Sequence, residues 1–215
     1  MSHTRLILLR HGQTDWNSSG RFQGQHDIGL NDLGRTQARE AAPTVASLGI
    51  DVIYSSPLSR ALDTAREVAS LLDLGVWTDE RLGEINVGSW VGLTTEQMAE
   101  VDPACARALV EGHDFRRSST GETAAEVGVR MRDCLNDLAS RHAGQTVLCA
   151  SHGLATRMAT GYLLGWDFPT TWTLGAMWNC GWTIIGEGPW GWRLEAYNRV
   201  AQAPVDVVVR GEAGD

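Results

Sequence analysis

Two imidazoles and two guanidiniums stand at places in this chain where they can act together. Arg10 ends the apolar run RLILLR, and His11 and Gly12 follow it. Ser151, His152 and Gly153 follow a second run, TVLCA. Arg60 lies just past a third, DVIYS, in the segment SSPLSR. Such a group suits an anion. Arg10 and Arg60 are planar forks that match phosphoryl oxygens and neutralise them as the group transfers. A neutral imidazole among such cations is a phosphoryl acceptor, because nearby positive charge lowers a histidine pKa and keeps the ring unprotonated. The leaving alkoxide then needs a proton. Glu84, in the Gly- and Trp-rich segment LGEINVGSWVG, can supply it if burial raises its pKa.

These residues meet only if three strands end on one rim. RLILLR reads as a buried strand that stops at Gly12, and Asp51–Ser55 and Thr146–Ala150 read as two more. Leu58–Leu72 reads as a helix with Leu62, Ala65, Ala69 and Leu72 on one side. Residues 121–142 form the clearest helix pattern. Val127, Met131, Cys134, Leu135 and Leu138 make its apolar stripe, and Glu122 falls in its first turn, where the dipole favours an acid. Leu154–Leu164 reads as another helix. Residues 31–48 have helical, Ala-rich spacing broken by Pro43. Trp182–Gly186 and Trp192–Tyr197 flank a Gly-Pro-Trp-Gly turn and read as a hairpin.

Alternating strands and helices imply an α/β fold: a three-layer sandwich with a mostly parallel central sheet flanked by helices, plus a small helical insert around residues 94–120. Residues 1–200 are expected to form one domain and 201–215 a loose tail, in which Val205–Val209 could pack at an unspecified place. Ligands of parallel sheets bind at the carboxyl ends of the strands. That is where Arg10, His11, Arg60, His152 and Gly153 fall.

All 18 basic residues are Arg, and the chain has no Lys. This excludes a lysine Schiff base and a G-K-[ST] phosphate loop. A GC-rich genome would produce the same bias. The formal charge of −8 argues against nucleic acid and anionic membranes as partners, but not against a small anion in a cleft. A chain of 215 residues buries enough surface to need no staple. Leu6–Leu9 is too short for a membrane span or a signal-peptide core, so a cytoplasmic protein is expected. Cys105, Cys134, Cys149 and Cys180 are widely spaced without a C-x-x-C pair, and read as buried small hydrophobes.

Four blocks, LILLRHGQTDWN, SSPLSRALDTA, ERLGEINVGSWVGLT and TVLCASHG, resemble the histidine phosphatase superfamily, also called phosphoglycerate-mutase-like. Arg-His-Gly alone is a weak signal. Four blocks in this order, covering most of residues 5–165, are specific. The resemblance implies that His11 is the nucleophile that becomes phosphohistidine. It implies that Arg10, Arg60 and His152 hold the phosphoryl oxygens with the backbone amide of Gly153. Glu84 would be the general acid and then the base that activates water. Asn17 matches a phosphate-pocket residue, and Gln23 with Gly24 matches a segment beside the substrate. No metal and no cofactor are implied.

Cofactor-dependent phosphoglycerate mutases resemble this chain but carry a longer insert between the positions of Glu84 and His152, with Lys and Arg that retain a bisphosphate. The shorter, Lys-free segment here points to the phosphatase branch. The C-terminal NCGWTIIG and WRLEAYNRVAQ resemble actinobacterial glucosyl-3-phosphoglycerate phosphatases. The expected function is metal-independent hydrolysis of a phosphomonoester, glucosyl-3-phosphoglycerate or another small phosphorylated acid or sugar. Phosphoglycerate mutase and a non-catalytic phosphate-ligand binding module are the alternatives. A homodimer is expected from the resemblance and from the Trp-rich C-terminal half.

Bland readings compete at several positions. Taken singly, His11 and His152 are ordinary core or loop residues; the four blocks together outweigh that. His3, His26, His113 and His142 have no such context and read as exposed. Ser151 lacks a G-x-S-x-G elbow. A zinc site from His11, His152 and Glu84 is disfavoured by the flanking Arg pair. Arg116 and Arg117, in GHDFRRSSTGE, read either as solvated charges or as a lid that contacts a substrate carboxylate. Six of the nine Trp fall between residues 166 and 192, a density that reads as core or dimer packing, with a sugar-stacking wall as the alternative.

Overall fold

The computed structural model describes residues 3–201. The tail from residue 202 onward, with the Val205–Val209 segment, lies outside them. The strands are β1 (Arg5–Arg10), β2 (Val52–Ser55), β3 (Val76–Thr78), β4 (Thr146–Ser151), β5 (Trp182–Gly188) and β6 (Gly191–Arg199). The helices are α1 (Asp15–Ser18), α2 (Asp32–Ala46), α3 (Ser59–Leu72), α4 (Thr95–Val101), α5 (Pro103–Val110), α6 (Ala124–Arg141), α7 (Gly153–Leu163) and α8 (Phe168–Trp172).

One mixed sheet runs in the order β3-β2-β4-β1-β5-β6. β1, β2, β3 and β4 are parallel, and the hairpin β5–β6 joins β1 antiparallel. Register sets the site. Arg10 pairs with Ser151, so His11 and His152 leave adjacent strand ends together.

The apolar run of β1 serves two cores because its side chains alternate between faces. Leu6 and Leu8 pack with α6 and α7, while Ile7 and Leu9 pack with α2 and α3. This gives the three layers expected, and it explains why the strand reads as continuously apolar. The stripe of α6, from Val127 to Leu138, is fully buried.

Several details differ from the sequence reading. α2 continues through Pro43. The lost hydrogen bond falls on the side of Arg39 and Pro43, which are exposed, so solvent can serve the freed carbonyl. α6 starts at Ala124, capped by Thr123 in a capping box with Glu126. Glu122 therefore precedes the helix, and its carboxylate is available for another contact. β3 has no pattern of its own and lies at the sheet edge, where Trp77 is exposed. The insert is helical only over α4 and α5. Cys105 is half-exposed, because α5 buries no residue fully; the other three cysteines are buried. His142 is half-buried, with Nε2 3.1 Å from the Tyr54 hydroxyl. Of the six clustered Trp, Trp182 lies in the core while Trp178 and Trp190 are exposed.

Candidate active site

His11 is buried where β1 ends. Its backbone is held from two sides. Its N–H donates to Ser151 O at 3.1 Å, and its carbonyl accepts from Cys180 N at 3.2 Å and Asn179 Nδ2 at 3.1 Å. Gly12 must follow, because a Cβ there would lie 2.3 Å from the Gly34 carbonyl of α2. The ring has one tautomer by elimination. Nδ1 lies 2.6 Å from Gly12 O, a carbonyl that can only accept, so Nδ1 carries the hydrogen and Nε2 keeps its lone pair. Burial lowers the His11 pKa well below its ordinary value, and Arg60 and Arg10 lower it further; the bond to Gly12 opposes this. His11 is thus a neutral imidazole close to two cations.

Arg60 opens α3 and is fully buried. It donates to Gly24 O and His26 O, each at 2.8 Å, and to His152 Nδ1 at 3.2 Å. Burial pushes its pKa down to about 10, against the attraction of Glu84 and Asp27, so it stays charged at neutral pH. Asp27 also caps α3, accepting from Ser59 N at 2.8 Å and Ser59 Oγ at 2.7 Å. Arg10 is buried as well and donates through Nη1 to Met177 O. His152 is neutral for the same reasons as His11, burial first and then Arg60. Its Nδ1 accepts from Arg60, so the hydrogen is on Nε2, 2.9 Å from Ser56 Oγ. The two imidazoles meet edge to face, with centroids 5.2 Å apart.

Glu84 reaches this group from a loop. It is half-buried rather than buried, and its carboxylate docks on the first turn of α7. Oε1 accepts from Ala155 N at 3.0 Å and Ile85 N at 2.9 Å, and Oε2 accepts from Leu154 N at 3.3 Å. First-turn N–H groups have no partner within a helix, so an anion is welcome there. Gly153 is the first residue of that helix. Ser151 ties the same loop down through Oγ to Leu82 O at 2.7 Å, which gives this serine a structural role.

One cavity gathers Arg10, His11, Arg60 and Glu84 with Asn17, Gln23 and Gly24. Asn17 is fixed by α1, where its Oδ1 accepts from Thr14 N at 3.1 Å, and Thr14 Oγ1 donates to Gln23 Oε1 at 2.9 Å. Gly24 has φ +51°, and a Cβ there would lie 2.7 Å from the Val87 side chain. His152 and Gly153 stand beside the cavity but do not line it.

A profile of the histidine phosphatase superfamily (branch 1) matches residues 6–200. The chain belongs to this superfamily. Phosphoserine phosphatase 1 of Hydrogenobacter thermophilus is 36% identical over 181 residues, covering 84% of this chain and 85% of that one. Glucosyl-3-phosphoglycerate phosphatase of Mycobacterium tuberculosis is 34% identical, covering 97% of this chain and all of that one. Probable phosphoglycerate mutase of Yersinia enterocolitica is also 34% identical, covering 89% and 91%. Among solved structures, a mycobacterial glucosyl-3-phosphoglycerate phosphatase in complex with VO3 superposes with a TM-score of 0.83 at 35% identity, covering 90% and 98%.

Within this histidine phosphatase, two expected residues stand elsewhere. Arg116 and Arg117 do not line the cavity. Arg116 is paired with Glu126 and donates to Gly121 O at 2.6 Å. Arg117 is not solvated; it is buried, bonded to Asp114 at 3.0 Å and stacked on Phe115. The clustered Trp residues 166–192 form no wall of the cavity either. The residues that sequence reasoning missed are Arg21, Phe22, Ile85 and Val87, which do line it. Arg21 donates to Gly92 O at 2.6 Å and has no carboxylate partner among the described residues. The only sequence signal for Arg21 was its position two residues before Gln23. Among the described residues, no group of three or more His, Cys, Asp or Glu side chains is placed to hold a metal ion, and no helix is long and apolar enough to cross a membrane.

Proposed function

We propose that this chain hydrolyses phosphomonoesters through a phosphohistidine on His11, without a metal. The observation that carries the reading is the state of His11: neutral, with a free Nε2 lone pair, between Arg10 and Arg60 in one cavity with Glu84. Nε2 attacks phosphorus, and the bond from phosphorus to the ester oxygen breaks. Arg10 and Arg60 balance the charge on the phosphoryl oxygens. His152 is assigned as a further donor once its Nε2–H turns from Ser56 Oγ to substrate, with the amide of Gly153. Glu84 leaves the α7 amides, takes the proton of the monoanionic phosphate ester and gives it to the leaving oxygen. It then takes a proton from water as that water attacks phosphorus, and the bond to His11 breaks.

The substrate we infer is a small phosphorylated acid or sugar, with glucosyl-3-phosphoglycerate first. The full-length likeness to the M. tuberculosis protein of that name supports this. So does Arg21, a cavity-lining cation that can meet a second anionic group. Phosphatase is favoured over mutase because the two cations of the insert loop are already engaged by Asp114 and Glu126. The same reading includes a cytoplasmic homodimer. The four free thiols support a reducing compartment, and exposed Trp178 and Trp190 support an apolar contact surface.

p-Nitrophenyl phosphate in excess EDTA tests the reaction. Turnover that His11→Ala abolishes is expected. Turnover that needs added metal would count against the reading, and tight binding of phosphate esters without phosphate release would favour a binding module.

A further inference from the structure

Glu84 lies in a stretch with neither strand nor α-helix, between single 3-10 turns at residues 80–82 and 88–90. Backbone in such a stretch needs partners from elsewhere to hold one position. Arg130, on α6, supplies them. Its Nη1 donates to Arg81 O at 2.6 Å and Gly83 O at 3.0 Å, and Nη2 reaches Glu84 O at 3.5 Å. Glu122 completes the arrangement on the far side. Its carboxylate takes Arg130 Nε and Nη2, each at 3.1 Å, and accepts from Asn86 N at 2.8 Å. The Glu122 N–H in turn donates to Asn86 O at 2.8 Å. One ion pair thus grips the chain before and after Glu84. Its two side chains are 21% and 22% exposed, and neither lines the cavity.

We propose that Arg130 and Glu122 are positioning residues for Glu84, fixing where its carboxyl group stands relative to the leaving oxygen. The proposal rests on the reading of Glu84 as proton donor. Only the Arg fork reaches three carbonyls and a carboxylate at once; a Lys ammonium presents a single point. The anchor is firm because the flanking Val127 and Met131 are fully buried in the core. The side chain of Glu84 can then swing from the α7 amides toward substrate while its backbone stays put. A misplacement of about 1 Å at such a group costs on the order of 100-fold in rate.

Leaving groups separate this role from mere folding. An alkyl ester such as 3-phosphoglycerate needs the proton; p-nitrophenyl phosphate needs it far less. Arg130→Gln is expected to lower kcat on the alkyl ester about 10- to 100-fold, with a loss at least fivefold smaller on the aryl ester. Arg130→Lys should fall between, and Glu122→Gln, the milder change, should show the same bias. In a Glu84→Gln background, Arg130→Gln should cost less than about threefold more, since coupled residues are not additive. Equal losses on both esters, or a full further loss in that background, would overturn the proposal. A different result marks failure of the underlying reading: Glu84→Gln slowing both esters alike would remove the proton donor, and the proposal with it.

Discussion

The cavity has two walls of different construction. One is made of strand ends. Arg10, His11 and Arg60 are buried, and their backbones lie at the end of β1 and the start of α3; His152, at the end of β4, backs this wall by accepting from Arg60. The other is made of loops. Glu84, Arg21, Ile85 and Val87 come from irregular segments, and the two charged residues among them are only half-buried. In the proposed function, the first wall is assigned the part common to every phosphomonoester, and the second is assigned what differs between esters: the leaving oxygen and the rest of the molecule. A parallel register is a rigid way to fix charge, whereas loops carry specificity at less cost to the core.

Substitutions can break this comparison. On the strand wall, His11→Ala should cost at least about 10⁴-fold in kcat/KM on every ester, because the covalent route is gone. Arg60→Met should cost on the order of 10²- to 10³-fold, again alike on alkyl and aryl esters. A strong bias between esters for either variant would blur the two walls. On the loop wall, Arg21→Gln should raise KM about tenfold on phosphoserine or 3-phosphoglycerate, and clearly less on p-nitrophenyl phosphate. Steady-state kinetics on the same ester panel decides all three.

The smallest effect concerns pH. His11 and His152 are held neutral in the fold, chiefly by burial and then by Arg60. In the unfolded chain each takes up a proton near its ordinary pKa of about 6.5. Below that pH the unfolded state binds more protons, so stability is full above about pH 6.5 and falls as pH drops. The expected slope is at most about 1.4 kcal/mol per pH unit for each histidine. Urea unfolding between pH 7 and pH 5 should show it, and His152→Asn should flatten it. The acid limb of kcat/KM should likewise lie below pH 6.5. A flat stability profile would contradict buried neutral imidazoles.

The strand wall was legible in the sequence and the loop wall only partly. The run Leu6–Leu9 announces a strand buried on both faces, and the residues after it must fall at the ligand end of the sheet. Arg60 and His152 follow from the same rule. Glu84 was found through its motif; the hold that Arg130 and Glu122 have on its loop was not, since it depends on where α6 begins. Arg21 carries no periodic signal, and its place depends on an isolated bridge to Thr94. Arg116 and Arg117 left two readings open because two adjacent cations invite a ligand. Asp114, three residues before Arg117, was the clue that this charge is spent within the loop. Pro43 misled, because helix breaking depends on whether the freed carbonyl can reach solvent.

The central claim is a covalent phosphoryl group on one nitrogen. Brief incubation with a ³²P-labelled phosphomonoester, quenching in alkali and peptide mapping test it directly. The label is expected to survive alkali, to be lost in acid, to map to the peptide containing His11 and to be absent from His11→Ala. Label that maps elsewhere, persists in His11→Ala or survives acid would contradict it.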